Sequence, residues 1–352
     1  MPSGVWVRLP LAAHSGQKMI KFLLINSIVI AYTNINNIPL FLLLYSIFII
    51  AGDLILPRDY KIYNDENKIL FNFFVILPLL LILIYLFVSS AALYEKYMLN
   101  ELLLYVIIGN IIQMGLMLAT AGTNAGHELI HRAKNSLDQK IGYWLLALNF
   151  DTAFVIEHLH GHHKFVGTIN DPATARYNEN TYSFIIRSSI GTIKNSWQYE
   201  KARMVNKGKY ILSLENKLVS GFFKGLLVMG VVYLIGKEIG LIFYCLSIIT
   251  AKILLETVNY IEHYGLTREE GSPILPQHSW NTNRWISSNV LYNLSRHSAH
   301  HEKTNVPYWK LNPYKDAPEM PLGYLSMVYI AILAPPIFKW IMKPLVIKWN
   351  NV

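Results

Sequence analysis

The chain has 352 residues, 53% of them apolar and only 15% charged, against roughly 25% charged for a soluble globular average. With a mean hydropathy of +0.30, that composition excludes a disordered chain and a disulfide-stapled secreted domain. The net charge of +9 points to a membrane surface rather than nucleic acid, because the basic residues lie beside long apolar runs.

Residues 1–18 lack the charged, apolar, then small order of a cleaved signal peptide. They read as a poorly structured segment ahead of one membrane domain, 19–352. Met19–Thr33 is apolar but short, and the uncharged linker Asn34–Ile38 ties it to Ile38–Leu56, so the two read as a hairpin. Leu70–Tyr94, Leu102–Ala125, Leu218–Ile235 and Leu241–Ile261 follow, at or near the roughly 20 apolar residues that cross a ~30 Å hydrocarbon core. The expectation is an all-α membrane protein with six spans. The apolar tail from Tyr324 to Ile341 is broken by Pro335-Pro336 and reads as interfacial or re-entrant.

Basic residues set the expected orientation. Twelve Lys and Arg lie between Gly126 and Lys217 and nine follow His263, while the opposite loops offer little beyond Lys96 and Lys237. By the positive-inside rule, both termini and both long polar segments face the cytoplasm.

Histidine is the anomaly. Eleven of twelve lie between His127 and His301, all at the expected cytoplasmic ends of the spans. His127 and His131 are four apart, which on a helix places both imidazoles on one face. Alone, that H-E-x-x-H string is also the zinc-protease pattern. His158 and His162 repeat the spacing, and His163, about 100° further round, is placed to reach a second ion. His297, His300 and His301 occupy one turn, and His263 closes the last span. Nine imidazoles exceed what one tetrahedral zinc uses and suit two ions of higher coordination number. Iron, copper, zinc and nickel all accept such ligands. His160, two residues from both His158 and His162, reads as facing solvent or supporting a ligand ring, and His278 as a structural or channel-rim loop residue. A metal transporter or store would predict acidic or histidine residues inside the spans, and these spans have few.

Glu128, Glu157 and Glu262 each adjoin one of those histidines, and Asn259 lies one turn before His263. With Asp171 they are candidates to accept the far N–H of a ligand ring, which fixes its tautomer and orientation. Lys252 and Glu256, four apart within the last span, read as a neutralising pair, and Lys224 as a residue reaching to the interface.

The strings His127-Glu-Leu-Ile-His131, His158-x-x-Gly-His-His163, Asn259-Tyr-Ile-Glu-His-Tyr-Gly-Leu266 and Leu294-Ser-Arg-His-Ser-Ala-His-His301 resemble the integral-membrane alkane monooxygenases of the AlkB type, within the membrane desaturase and hydroxylase superfamily. The third string separates them from fatty-acyl desaturases, which usually lack it. Asn170-Asp-Pro-Ala-Thr-Ala-Arg176, Gln277-His-Ser-Trp-Asn281 and Leu322-Gly-Tyr324 are also similar. Arg132 stands where lysine is common, and Leu159-His160 where a polar pair is usual. The resemblance implies six helices under a cytoplasmic histidine-rich di-iron cap, in a bacterial inner membrane. It implies hydroxylation of an alkane's terminal methyl by dioxygen, with electrons from rubredoxin or a ferredoxin and its reductase. The nine histidines His127, His131, His158, His162, His163, His263, His297, His300 and His301 would hold the two irons. A fatty-acyl or lipid desaturase or hydroxylase is the alternative. Cys245 is the only cysteine, so the chain holds no thiolate-ligated iron centre of its own and its electrons must come from another protein.

Overall fold

The computed structural model describes residues 38–63 and 68–350. The span expected at Met19–Thr33 and the segment 1–18 lie outside the described residues. Among the described residues all regular structure is helical, apart from one isolated bridge between Asn281 and Glu319.

The first helices are α1 (Ile38–Ile55), α2 (Lys68–Met98) and α3, which runs from Leu104 to Ile130. A short α4 (Leu137–Leu148) leads to α5, in which Thr152–Glu157 continues through a π-helical turn, His158–His162, into His163–Phe165. Beyond these lie α6 (Thr181–Asn206), α7 (Lys217–His263), α8 (Trp285–Val290), α9 (His297–Glu302), α10 (Tyr324–Leu333) and α11 (Pro335–Asn350). Among the described residues α2, α3 and α7 are long and apolar enough to cross a membrane. In the apolar tail, α10 and α11 have 10 and 16 residues, each short of a crossing.

A straight helix of 47 residues would reach about 70 Å, more than twice a hydrocarbon core. α7, which has that length, is not straight. Lys237 leaves helical geometry at φ 48°, ψ −144°, and a Cβ built on Gly240 would lie 3.1 Å from the carbonyl oxygen of Val232. Eight residues of continuous helix would separate those positions by about 12 Å, so the chain reverses at Lys237. The two halves coincide with the apolar runs Leu218–Ile235 and Leu241–Ile261. The second half packs closely on α3, where glycine is required: a Cβ on Gly115 would stand 2.5 Å from Thr250 Cγ2.

Just before the first histidines, α3 widens into a π-helical stretch, Leu118–Thr123. Such winding shifts bonding from i−4 to i−5 and strands a carbonyl. Asn149 meets it, its Nδ2 donating to Leu118 O at 3.2 Å and to Thr123 Oγ1 at 2.9 Å. A buried residue of α4's C-terminus thereby fixes the rotation at which α3 presents His127 and His131.

Candidate metal centre

Nine histidines from four segments converge into two adjoining groups. The first is His127, His131, His158, His163 and His300; the second is His162, His263, His297 and His301. Within each group the ligand nitrogens all lie within 4.8 Å of one another. In the first, His158 Nε2 stands 2.6 Å from His127 Nε2, 2.9 Å from His163 Nε2 and 3.4 Å from His300 Nε2. In the second, His297 Nε2 lies 3.0 Å from both His263 Nε2 and His301 Nε2. The groups touch, with the rings of His163 and His301 4.7 Å apart.

The partition corrects one expectation. His158 and His162 do not share a centre; His158 pairs with His163, and His162 belongs to the other group. The cause is local winding. His158–His162 is π-helical, and that widened turn brings His163 Nε2, five residues on, to 2.9 Å from His158 Nε2. His127 and His131, on α-helical turns, do fall together, and α9 divides likewise, His297 with His301 and His300 across to the first group.

The donor set fits metal ions. Ligands about 2.1 Å from one ion and at right angles stand about 3.0 Å apart, and the nitrogens here face one another at 2.6–3.4 Å. Without a cation, buried imidazoles so placed have too few protons to share. The ring nitrogens His131 Nε2, His127 Nδ1 and His163 Nδ1 are buried with no hydrogen-bond partner among the described residues.

A fatty acid desaturase family profile matches residues 100–331, a stretch holding all nine histidines. The chain belongs to that family. It is 36% identical over 243 residues to alkane 1-monooxygenase 1 of Pseudomonas aeruginosa, covering 67% of this chain and 63% of that protein. It is 33% identical over 246 residues to alkane 1-monooxygenase 2 of Alcanivorax borkumensis, at the same coverages. The xylene/toluene monooxygenase hydroxylase component of Pseudomonas putida is 33% identical over 227 residues, 64% of this chain and 60% of that one. The matched region is thus under two thirds of the length of these curated relatives.

In this desaturase-family chain the two groups are supported differently. Asp171 Oδ2 lies 2.9 Å from His162 Nδ1, which leaves Nε2 free to face the centre. Asp171 is itself fixed by Thr174 Oγ1 at 2.5 Å and Ala173 N at 2.9 Å. Burial opposes charge on both partners, yet their attraction prevails, raising the His162 pKa and lowering that of Asp171. His263 Nδ1 faces the backbone carbonyl of His278 at 3.4 Å, and Glu262 Oε1 is 3.4 Å from His297 Nδ1. His278, set apart as structural, therefore steadies a ring through its main chain.

The remaining candidates turn elsewhere. Glu128 pairs with the Arg132 guanidinium at 2.8 Å, and Asn259 Nδ2 donates to Glu256 at 3.4 Å. Glu157 is buried beside His162 with its Oε1 unpartnered among the described residues, and burial, with Asp171 nearby, raises its pKa to about 7. His160 is exposed, its ring 6.0 Å from that of Tyr199. The Lys252–Glu256 pair forms at 2.7 Å and gains a third member, Asp151, at 2.9 Å.

Burial, reinforced by neighbouring histidines, holds the pKa values of His158, His163, His297, His300 and His301 well below the ordinary imidazole value. His131 is pushed down to about 4 by burial alone. The rings are therefore neutral at physiological pH, the form that binds metals.

Two residues that hold α9 were not anticipated. Arg296 is fully buried and donates to the carbonyls of Lys61, Leu311 and Asp59 at 2.8–2.9 Å. Asn281 brackets Ser298, its Oδ1 accepting from Ser298 N at 2.9 Å and its Nδ2 donating to Ser298 Oγ at 2.7 Å. Arg296 and Ser298 flank His297, so both contacts set where that ring points. The Ser-Arg-His-Ser string was visible in sequence, but two of its carbonyl partners, Asp59 and Lys61, lie some 235 residues away.

Proposed function

We propose that this chain is a membrane di-iron monooxygenase that hydroxylates the terminal methyl of alkanes to 1-alkanols. The observation that carries the reading is the pair of histidine groups at the ends of membrane-length helices, in a chain similar over two thirds of its length to alkane 1-monooxygenases. His127, His131, His158, His163 and His300 would hold one iron and His162, His263, His297 and His301 the other. Five donors exceed tetrahedral zinc, which supports iron over the zinc-protease reading of His127–His131. In full the proposal includes six spans, a cytoplasmic cap, an inner-membrane location with both termini inside, and rubredoxin or ferredoxin as donor.

Bound iron would supply the oxygen activation that an unactivated C–H bond requires. The chain's own residues position and insulate. Phe154 stacks on His158 with ring centroids 4.8 Å apart, and Ile130, Leu146, Val155 and Leu255 pack with Phe154. This apolar backing behind His158 suits an alkyl chain. Asp171 keeps the His162 proton on Nδ1, and the His278 carbonyl orients His263. The deciding assay supplies NADH, rubredoxin and its reductase to the purified protein in lipid, with ¹⁸O₂ and octane, hexadecane or acyl substrates. The expected product is a ¹⁸O-labelled 1-alkanol. Products from acyl substrates alone would transfer the reading to an acyl-chain desaturase or hydroxylase, and stoichiometric zinc without iron would overturn it.

A further inference from the structure

α6 reverses the pattern of an ordinary surface helix, which buries its apolar side and exposes its polar one. Its buried face is mostly polar: Thr181, Ser188, Thr192, Ser196 and Glu200, with only Phe184 and Met204 apolar. Its outward face carries Ile186, Ile190 and Ile193, 63%, 63% and 59% exposed, with Tyr182 and Trp197 also exposed. At about 100° per residue these five side chains fall within about 80° of arc. Ser183, Lys194 and Gln198, all exposed, occupy the next sector, about 60° wide. A helix between protein and water needs two sectors. This one has three: protein, apolar and polar.

The apolar sector runs onto the lipid-length helix beside it. A cavity of about 520 Å³ lies between α6 and the first turns of α7, lined by Ile193 and Trp197 on one side and Leu218, Phe222 and Phe223 on the other. Phe222 and Phe223 are exposed on α7, which is of membrane-crossing length. In the connecting loop exposed Tyr210, Leu212 and Leu214 follow Lys207 and Lys209. Residues 181–217 hold seven Lys and Arg against two acids, Glu200 and Glu215, and both acids are occupied by Arg203 and Lys209. The surplus charge is positive and borders the apolar stripe.

We infer that α6 lies flat in the membrane interface as an anchor for anionic phospholipid. The isoleucine stripe enters the acyl layer, an acyl chain fills the groove against Phe222 and Phe223, and Lys194, Lys201 and Lys207 meet phosphates. Ser196 Oγ donates to Ala153 O at 2.6 Å, tying the anchor to α5, the helix that carries His158, His162 and His163. The anchor therefore fixes the depth of the histidine groups relative to the lipid.

The test uses the full chain in nanodiscs of phosphatidylcholine and phosphatidylglycerol. In a Cys245→Ser background, nitroxides are attached after Ile190→Cys or Lys194→Cys, and collision with oxygen and with a water-soluble nickel chelate is compared. The expected result is a several-fold preference for oxygen at position 190 and for nickel at 194. Equal nickel access at both positions, or access to neither reagent at 190, overturns the proposal, the first meaning water and the second a protein cover. In the protein with its native cysteine, brominated phosphatidylglycerol is expected to quench tryptophan emission, and Trp197→Phe to remove part of that quenching; no change overturns the lipid contact. Combined Lys194→Gln, Lys201→Gln and Lys207→Gln is expected to lower co-purified phosphatidylglycerol about twofold or more, and an unchanged lipid ratio overturns the headgroup role.

Discussion

The two histidine groups differ less in their rings than in what stands behind them. In the second, Asp171 and the His278 carbonyl face ring nitrogens of His162 and His263 on the side away from the centre, and Glu262 lies 3.4 Å from His297 Nδ1, which like His301 Nδ1 makes no hydrogen bond among the described residues. The first is backed by Phe154 and its aliphatic neighbours, and the Nδ1 atoms of His127 and His163 have no hydrogen-bond partner among the described residues. It is also the group nearer to solvent, since His131 and His163 are only half-buried and a cavity of about 280 Å³ lined by Lys68, Arg132 and Trp309 reaches His131. Hydrogen bonds to ligand rings fix orientation and raise basicity. The contrast describes one rigid, electron-rich position and one apolar, accessible position side by side.

Removing a shared nitrogen should have the largest effect. His158 Nε2 approaches three other ring nitrogens within 3.4 Å, so His158→Ala should empty the first group. The expected outcome is about half the metal per chain by elemental analysis and at least about a 100-fold loss of turnover, more than loss of an outer partner gives. Retention of both ions would show that the groups are not two sites.

Asp171→Asn addresses the second group alone. It keeps a hydrogen-bonding side chain but discards the charge that holds His162. Metal affinity there should fall about 10- to 100-fold, read by competition with a chelator, while the first group keeps its ion. Glu128→Gln, whose carboxylate serves Arg132 instead of a ring, should leave both affinities near the native value. Equal effects from the two variants would erase the contrast.

Acid should weaken both groups next, with His162 alone opposing. The unfolded imidazole has a pKa near 6.5, whereas folding lowers those of His131, His158, His163 and His300 in the first group and of His297 and His301 in the second, and raises that of His162. A lowered pKa means the folded chain binds fewer protons, so its contribution to stability is present above pH 6.5 and falls as pH drops towards the folded value, about 4 for His131. The sign for His162 is opposite: its contribution is full below 6.5 and is lost as pH rises through its folded value. Chelator-treated protein should therefore lose thermal stability between pH 6.5 and 4. A melting temperature that rises over that window would contradict buried neutral rings.

The four histidine strings were legible because charged or polar residues at the ends of apolar runs have few innocuous explanations, and the reversal at Lys237 because Gly236–Gly240 interrupts an apolar run. The spacing within His158–His163 was legible only as a pattern, since histidine offsets do not encode helical winding. The π turn at His158–His162 goes with the tight fit of Gly161 against the Glu157 carboxylate, which leaves no room for a Cβ. Arg296 and Asn281 act through carbonyls and turns distant in sequence. Local pattern therefore located the clustered histidines but not their partition.

That winding makes the smallest effect an informative one. His160 is two residues from His158 and His162, inside the same π turn, yet it is exposed and turned towards Tyr199. Substituting an exposed side chain away from structural contacts changes stability by about 0.5 kcal/mol or less. His160→Ala should therefore keep both ions and near-native turnover, while His163→Ala, three residues on, should lose the metal of the first group. Were His160→Ala to cost an ion as well, the segment would have to rewind on metal binding, and the division into five and four ligands would fail with it.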